Sequence, residues 1–192
     1  MPRIVYYPKF VNIQSIKSFE VGKYRYWLKI PFKNQKNEKI LCVILKNPSV
    51  ANIKICDNTV SKVCNVANNS GYSEVIILNL FPYRSTNPKG LLKFYKNQNF
   101  KLIMACNLRK IKKICKNKDV VFAWGTNTIS KSKQNKKIYD SAIKDITLTI
   151  TNQTHYVRRC SCLNKPCNNK HQAVRYPLHG LRWHNNSAII QY

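Results

Sequence analysis

The chain has 192 residues, with 34 Lys and Arg against seven Asp and Glu and a formal net charge of +27. That length suits one domain with a real core. So few carboxylates disfavour a two-metal nuclease or a paired-carboxylate glycosidase. No apolar stretch nears the roughly 18 residues of a membrane span, and no apolar signal segment opens the chain, so a soluble, intracellular, cytoplasmic protein without a membrane partner is expected. An AT-rich coding bias accounts for abundant Lys, Asn and Ile but should raise the acids as well. Their deficit points to a polyanionic partner, nucleic acid first.

Residues 1 to 22, with Pro2 and Pro8, read as an N-terminal extension that either packs or dangles, and 23 to 192 as a single domain. Tyr24 to Ile30 alternates and carries aromatics, which predicts a strand at a sheet edge. Ile40 to Leu45 is a short, β-branched apolar run, as in a strand buried on both faces of a parallel sheet, and it ends in Asn47-Pro48-Ser49. Asp57 opens a helix in which Val60, Val63, Cys64 and Ala67 share a face and Gly71 supplies the stop. A second buried strand, Val75 to Leu78, ends in Asn79-Leu80-Phe81-Pro82-Tyr83-Arg84, and prolines 82 and 88 predict an irregular loop.

Phe100 to Cys115 is the strongest helix, its apolar stripe running through Phe100, Ile103, Met104, Leu108, Ile111, Ile114 and Cys115. Lys101, Arg109, Lys110, Lys112, Lys113 and Lys116 form either a solvated face or a phosphate track. A third strand, Val120 to Ala123, ends in Trp124-Gly125. A polar loop, a helix near Lys136 to Ile143 and strands at Thr147 to Thr151 and Tyr156 to Arg159 complete the prediction. This alternation argues for an α/β layered fold with right-handed crossovers. The eight cysteines, with no secretory signal, are thiols or ligands, and Cys42, Cys64, Cys106 and Cys115 fit as small buried hydrophobes.

In open α/β sheets the ligand crevice lies outside the carboxyl ends of the strands, where Asn47 and Asn79 are expected. The Asn47 amide can hold a water in line with a bond or close an Asx turn. Asn79 can read the hydrogen-bonding edge of a base or cap a buried loop. Asp57 is a helix N-cap or a group that assists water. Tyr83, Arg84, Ser85 and Thr86 combine an aromatic, a cation and hydroxyls suited to a base and a phosphate, although Arg84 equally suits a tie to a carboxylate. In the tail, Cys160, Cys162, Cys167 and His171 are a possible zinc set of unusual spacing. Arg175, Tyr176, His179, Arg182 and His184 give a segment dense in cations and aromatics that fits an element flanking a DNA groove.

These motifs resemble an uncharacterised bacterial and phage family catalogued as a domain of unknown function. Its pattern here is Asn47-Pro48-Ser49, Asp57 with Thr59, Asn79-Leu80-Phe81 with Arg84 and Thr86-Asn87-Pro88, Trp124-Gly125 and Tyr176-Pro177-Leu178, over residues 25 to 180. More distantly, the motif order is similar to that of the uracil-DNA glycosylase superfamily. That resemblance implies a three-layer α/β/α sandwich with a central, mostly parallel sheet. It further implies that Asn47 orients water, that Asn79 with Phe81 binds the base, and that the Tyr176 to His179 loop lies against the leaving base. Lys46 stands where that pattern has a small or apolar residue, and Tyr176 where it has His. The expectation is a monofunctional, monomeric DNA base glycosylase needing no cofactor. It would excise uracil or a modified pyrimidine, in repair or defence against phage, as a nucleoid-associated enzyme. The alternative is a non-catalytic nucleic-acid-binding protein, with or without a zinc-bound tail.

Overall fold

A computed structural model describes residues 4–33, 37–125, 132–150, 154–158, 179, 180, 183 and 188–191. In chain order the elements are β1 (Ile4–Val5), β2 (Lys17–Val21), β3 (Tyr24–Pro31), β4 (Ile40–Leu45), β5 (Cys56–Asp57), α1 (Asn58–Asn69), β6 (Glu74–Asn79), α2 (Pro88–Tyr95), α3 (Phe100–Cys115), β7 (Asp119–Phe122), α4 (Lys133–Thr149), β8 (Thr154–Arg158) and β9 (Ala188–Gln191). A seven-stranded sheet has the order β2-β3-β6-β4-β7-β8-β9, while β1 and β5 form a separate antiparallel pair. The centre is parallel, β4 pairing with β6 and β7, and β7 with β8. β2, β3 and β9 are antiparallel to their neighbours. The mixed α/β sheet with a mostly parallel centre is the architecture the sequence implied.

Strand period two divides the core. Leu41, Val43 and Leu45 of β4 pack with Val75, Ile77 and Val121 beneath α1. Cys42 and Ile44 pack with Ile76, Leu78, Val120 and Phe122 against Leu91 and Phe94 of α2, Ile111 and Cys115 of α3 and Tyr139 of α4. Right-handed crossovers force this segregation. The step from β4 to β6 runs one way along the sheet and places α1 on one face. The step from β6 back across β4 to β7 reverses direction, so α2 and α3 lie on the other face, and β8 continues that direction through α4. Ile44 is fully buried, and truncating it to Ala should cost about 2–5 kcal/mol.

α1 starts where Asp57 accepts a hydrogen bond from the Val60 N–H at 2.9 Å and stops at Gly71, whose φ of +79° favours glycine. Three features depart from the sequence reading, and a fourth settles whether the N-terminal extension packs or dangles. β3 is not an edge strand, because β2 pairs outside it. Residues 4–21 are built into the fold, with Tyr7, Val11 and Ile16 buried in the α1-side core. α2 begins on Pro88 itself, since proline is favoured in the first helical turn, where its missing N–H has no intrahelical partner to lose. The strand expected at Thr147 to Thr151 is instead the end of α4 through Thr149. The Thr147 hydroxyl donates to Ile143 O at 3.0 Å and the Thr149 hydroxyl to Asp145 O at 2.7 Å, so both β-branched residues are satisfied within the helix. Among the described residues no helix is long and apolar enough to cross a membrane.

Candidate functional site

The chain leaves β4 toward the α1 face, whereas its neighbours β6 and β7 lead to helices on the opposite face. The carboxyl end of β4 is therefore the topological switch point of the sheet, the place where α/β sheets bind ligands. Three strand ends are held flush there: Leu45 is in register with Asn79, Leu80 N donates to Leu45 O at 2.7 Å, Phe81 N to Lys46 O at 2.9 Å and Ala123 N to Ile44 O at 2.9 Å.

Asn47 stitches two of the loops. Its Nδ2 donates to Ser85 O at 2.7 Å and to Pro48 O at 2.9 Å, and Ser85 N donates to Pro48 O at 2.9 Å. The amide nitrogen is thus committed to backbone, and Oδ1 takes no hydrogen bond from a described residue. Asp57 is 5% exposed and gives Oδ1 to the α1 cap, so only its second carboxylate oxygen remains for a water.

Asn79 is fully buried, and neither its Nδ2 nor its Oδ1 has a hydrogen-bond partner among the described residues. Asn107 of α3, 1% exposed, donates from Nδ2 to Asn79 O at 2.9 Å and Leu80 O at 3.4 Å, while its Oδ1 has no partner among the described residues. Each such buried atom costs about 1–3 kcal/mol, which a protein tolerates where a ligand or water completes the bonding. Sequence reasoning passed over Asn107. The available signal was an amide in the core stripe of α3, three residues after Met104 and four before Ile111.

Two guanidinium groups pin the loop that joins Asn47 to Asp57. Arg25 Nη1 donates to Ala51 O at 2.6 Å. Arg84 Nη1 reaches Ser49 O at 2.7 Å and Ala51 O at 3.1 Å, and its Nη2 pairs with Glu20 Oε1 at 2.6 Å. Burial, reinforced by neighbouring Arg84, pushes the Arg25 pKa down to about 10. Arg84 therefore takes the carboxylate tie rather than standing open to a phosphate. Ser85 closes a local turn through its hydroxyl, which donates to Asn87 O at 2.5 Å. The Phe81 ring is covered on this side of the sheet by Tyr95, Tyr139 and Phe94, at centroid distances of 5.3, 5.9 and 6.5 Å.

His179 does reach the strand ends. It lies against Gly125, whose φ is +70° and where an added Cβ would stand 2.9 Å from His179 Cβ. Gly180 N donates to Ala123 O at 3.3 Å. A Cβ on Gly180 would meet Leu45, Val63 and Thr59 at 3.1–3.3 Å. Trp183 is fully buried in the α1-side core. Asn47, Asp57, Asn79 and His179 thus gather around one end of the sheet. Lys46 joins them from the opposite face. Its Nζ lies 5.7 Å from the Tyr139 ring centroid, and burial lowers its pKa to about 8.

Tyr176, Arg175, Arg182, Cys160, Cys162, Cys167 and His171 lie outside the described residues. Among the described residues no group of three or more His, Cys, Asp or Glu could hold a metal. On α3, Lys101, Arg109, Lys112, Lys113 and Lys116 are exposed, whereas Lys110 Nζ sits 4.2 Å over the Phe19 ring.

A family described as Protein of unknown function (DUF1643) matches residues 25–178. No curated protein and no solved structure matches the chain.

Proposed function

The chain belongs to the DUF1643 family of proteins of unknown function, and within it we propose that this member is a DNA base glycosylase of the uracil-DNA glycosylase-like class. The observation that carries the reading is Asn79: a buried amide at the carboxyl end of a central strand, with donor and acceptor both unmatched. A pyrimidine edge offers the complementary acceptor and donor, the pairing by which amide side chains read bases. Asn47, at the end of the adjoining strand, supplies Oδ1 to orient a water.

In this mechanism the basic surface engages phosphates and the target nucleotide leaves the stack. Water aligned by Asn47, with the second oxygen of Asp57 accepting its proton, attacks C1′ as the glycosidic bond breaks. The base departs as an anion stabilised by donors from Asn79 and from the Tyr176 to His179 loop. No cofactor enters, and the protein acts as a monomer on intracellular DNA, in repair or in defence against modified phage genomes.

A second reading, non-catalytic nucleic-acid binding with or without zinc in the tail, is favoured by the net charge of +27 and by the commitment of the Asn47 nitrogen to backbone carbonyls. Incubation with duplexes bearing uracil or modified pyrimidines, followed by alkaline cleavage of abasic sites, separates the two. Excision that disappears in Asn79→Leu supports the enzyme; salt-sensitive binding without abasic product supports the binder.

A further inference from the structure

Lys46 directly follows β4 and precedes Asn47 at the strand ends. Its main-chain oxygen accepts the Phe81 N–H at 2.9 Å, so its backbone is fixed at the junction of β4 and β6. Its side chain turns to the opposite face from α1, where Nζ lies 5.7 Å from the Tyr139 ring centroid. Tyr139 in turn donates its hydroxyl to Gly125 O at 2.9 Å, and Gly125 abuts His179. A primary amine is therefore held one residue from Asn47, beside the end of β7. We propose that Lys46 is an amine nucleophile that gives this protein a second activity, abasic-site lyase, on the sugar left after base removal. The proposal rests on the glycosylase reading for the source of its substrate.

An ordinary lysine near pKa 10.5 carries almost no neutral amine at physiological pH; burial brings Lys46 to about 8 and makes the nucleophilic form accessible there. The neutral amine adds to the C1′ aldehyde of the ring-opened sugar, and the aldehyde oxygen leaves as water, forming a C=N bond. The iminium acidifies C2′. Loss of a C2′ proton to water drives β-elimination, in which the C3′–O bond breaks and the phosphate leaves with the electron pair. Water then hydrolyses the imine, returning the lysine and leaving an unsaturated aldehyde on the DNA. No oxidant or metal is required.

The test uses the full chain and a duplex carrying a preformed abasic site, which bypasses base excision, with borohydride present to reduce the imine. The expected result is a covalent protein–DNA adduct whose peptide map places the link on Lys46. Strand scission should accompany it in the absence of borohydride. Lys46→Arg keeps the charge but presents a guanidinium that stays protonated, so adduct and scission should be lost; Lys112→Arg on α3 should retain both. No adduct, or an adduct mapped to another lysine, overturns the proposal, and the wild-type map decides even if Lys46→Arg fails to fold. Adduct formation without excision of any base would instead overturn the glycosylase reading and leave the lyase standing.

Discussion

The side chain of Asn107 holds the main-chain carbonyl of Asn79 at 2.9 Å, yet the oxygens of both side-chain amides are buried without a partner among the described residues. A helix amide is spent on positioning the end of β6, and the strand's own amide is left unmatched.

If Asn79 is kept for a ligand, Asn79→Leu should stabilise the free protein. Removing two unmatched buried polar atoms in favour of an apolar side chain of similar size relieves a cost of order 1 kcal/mol or more. Urea denaturation should show the midpoint rising while base excision vanishes. A lower midpoint would mean that Asn79 holds the fold together.

Asp57 has a structural role in the α1 cap, and the proposed chemistry adds a second. Asp57→Ala should lose about 1 kcal/mol, whereas Asn caps as well as Asp and Asp57→Asn should stay within a few tenths of wild type. Excision should nevertheless fall in Asp57→Asn, since an amide does not accept the water proton. Full activity in that variant would restrict Asp57 to the cap.

Gly125→Ala joins two penalties. The left-handed backbone costs an L-residue about 1–2 kcal/mol, and the new Cβ would sit 2.9 Å from His179 Cβ. Gly71→Ala meets the same backbone demand at φ +79° with nothing within 4 Å. Both variants should unfold at lower denaturant, but excision measured under folding conditions should fall only in Gly125→Ala.

Buried thiols set an alkaline limit on stability. Cys56 is pushed up to about 12, chiefly by burial. Cys64 is also raised, mainly by burial, and Cys42 by its hydrogen bond with Cys115 and by burial. Raised folded-state pKa values keep these groups protonated in the native protein, while the unfolded chain releases the protons above pH 9. Stability is therefore intact below pH 9 and declines as pH climbs toward 12, Cys56 contributing about 1.4 kcal/mol per pH unit in that window and Cys42 and Cys64 acting in the same direction. Urea titrations under reducing conditions should show the decline, and Cys56→Ala should show a shallower slope.

The central strands, the Asp57 cap, α3 and the strand-end placement of Asn47 and Asn79 were legible because each follows from local periodicity or a terminating residue. β2 and the packing of residues 4–21 were not. Lys17 to Val21 is exposed for most of its length, so no buried face marks it, and Tyr7 and Val11 gain their meaning only from contacts distant in sequence. The role of Arg84 was equally open in sequence: its partners are Glu20, 64 residues away, and two carbonyls of the Asn47 loop. Asn107 was hidden because an apolar stripe draws attention to its hydrophobic members and away from the amide among them.

The most direct test of the central claim is release of a free base from duplex DNA by wild type and Asn79→Leu, each confirmed folded. Substrates should include uracil, modified pyrimidines and naturally modified phage DNA, with abasic sites revealed by alkali. Excision of at least one pyrimidine by wild type, lost in Asn79→Leu while DNA binding persists, is the expected result. Salt-sensitive binding with no base released from any of these substrates would contradict it.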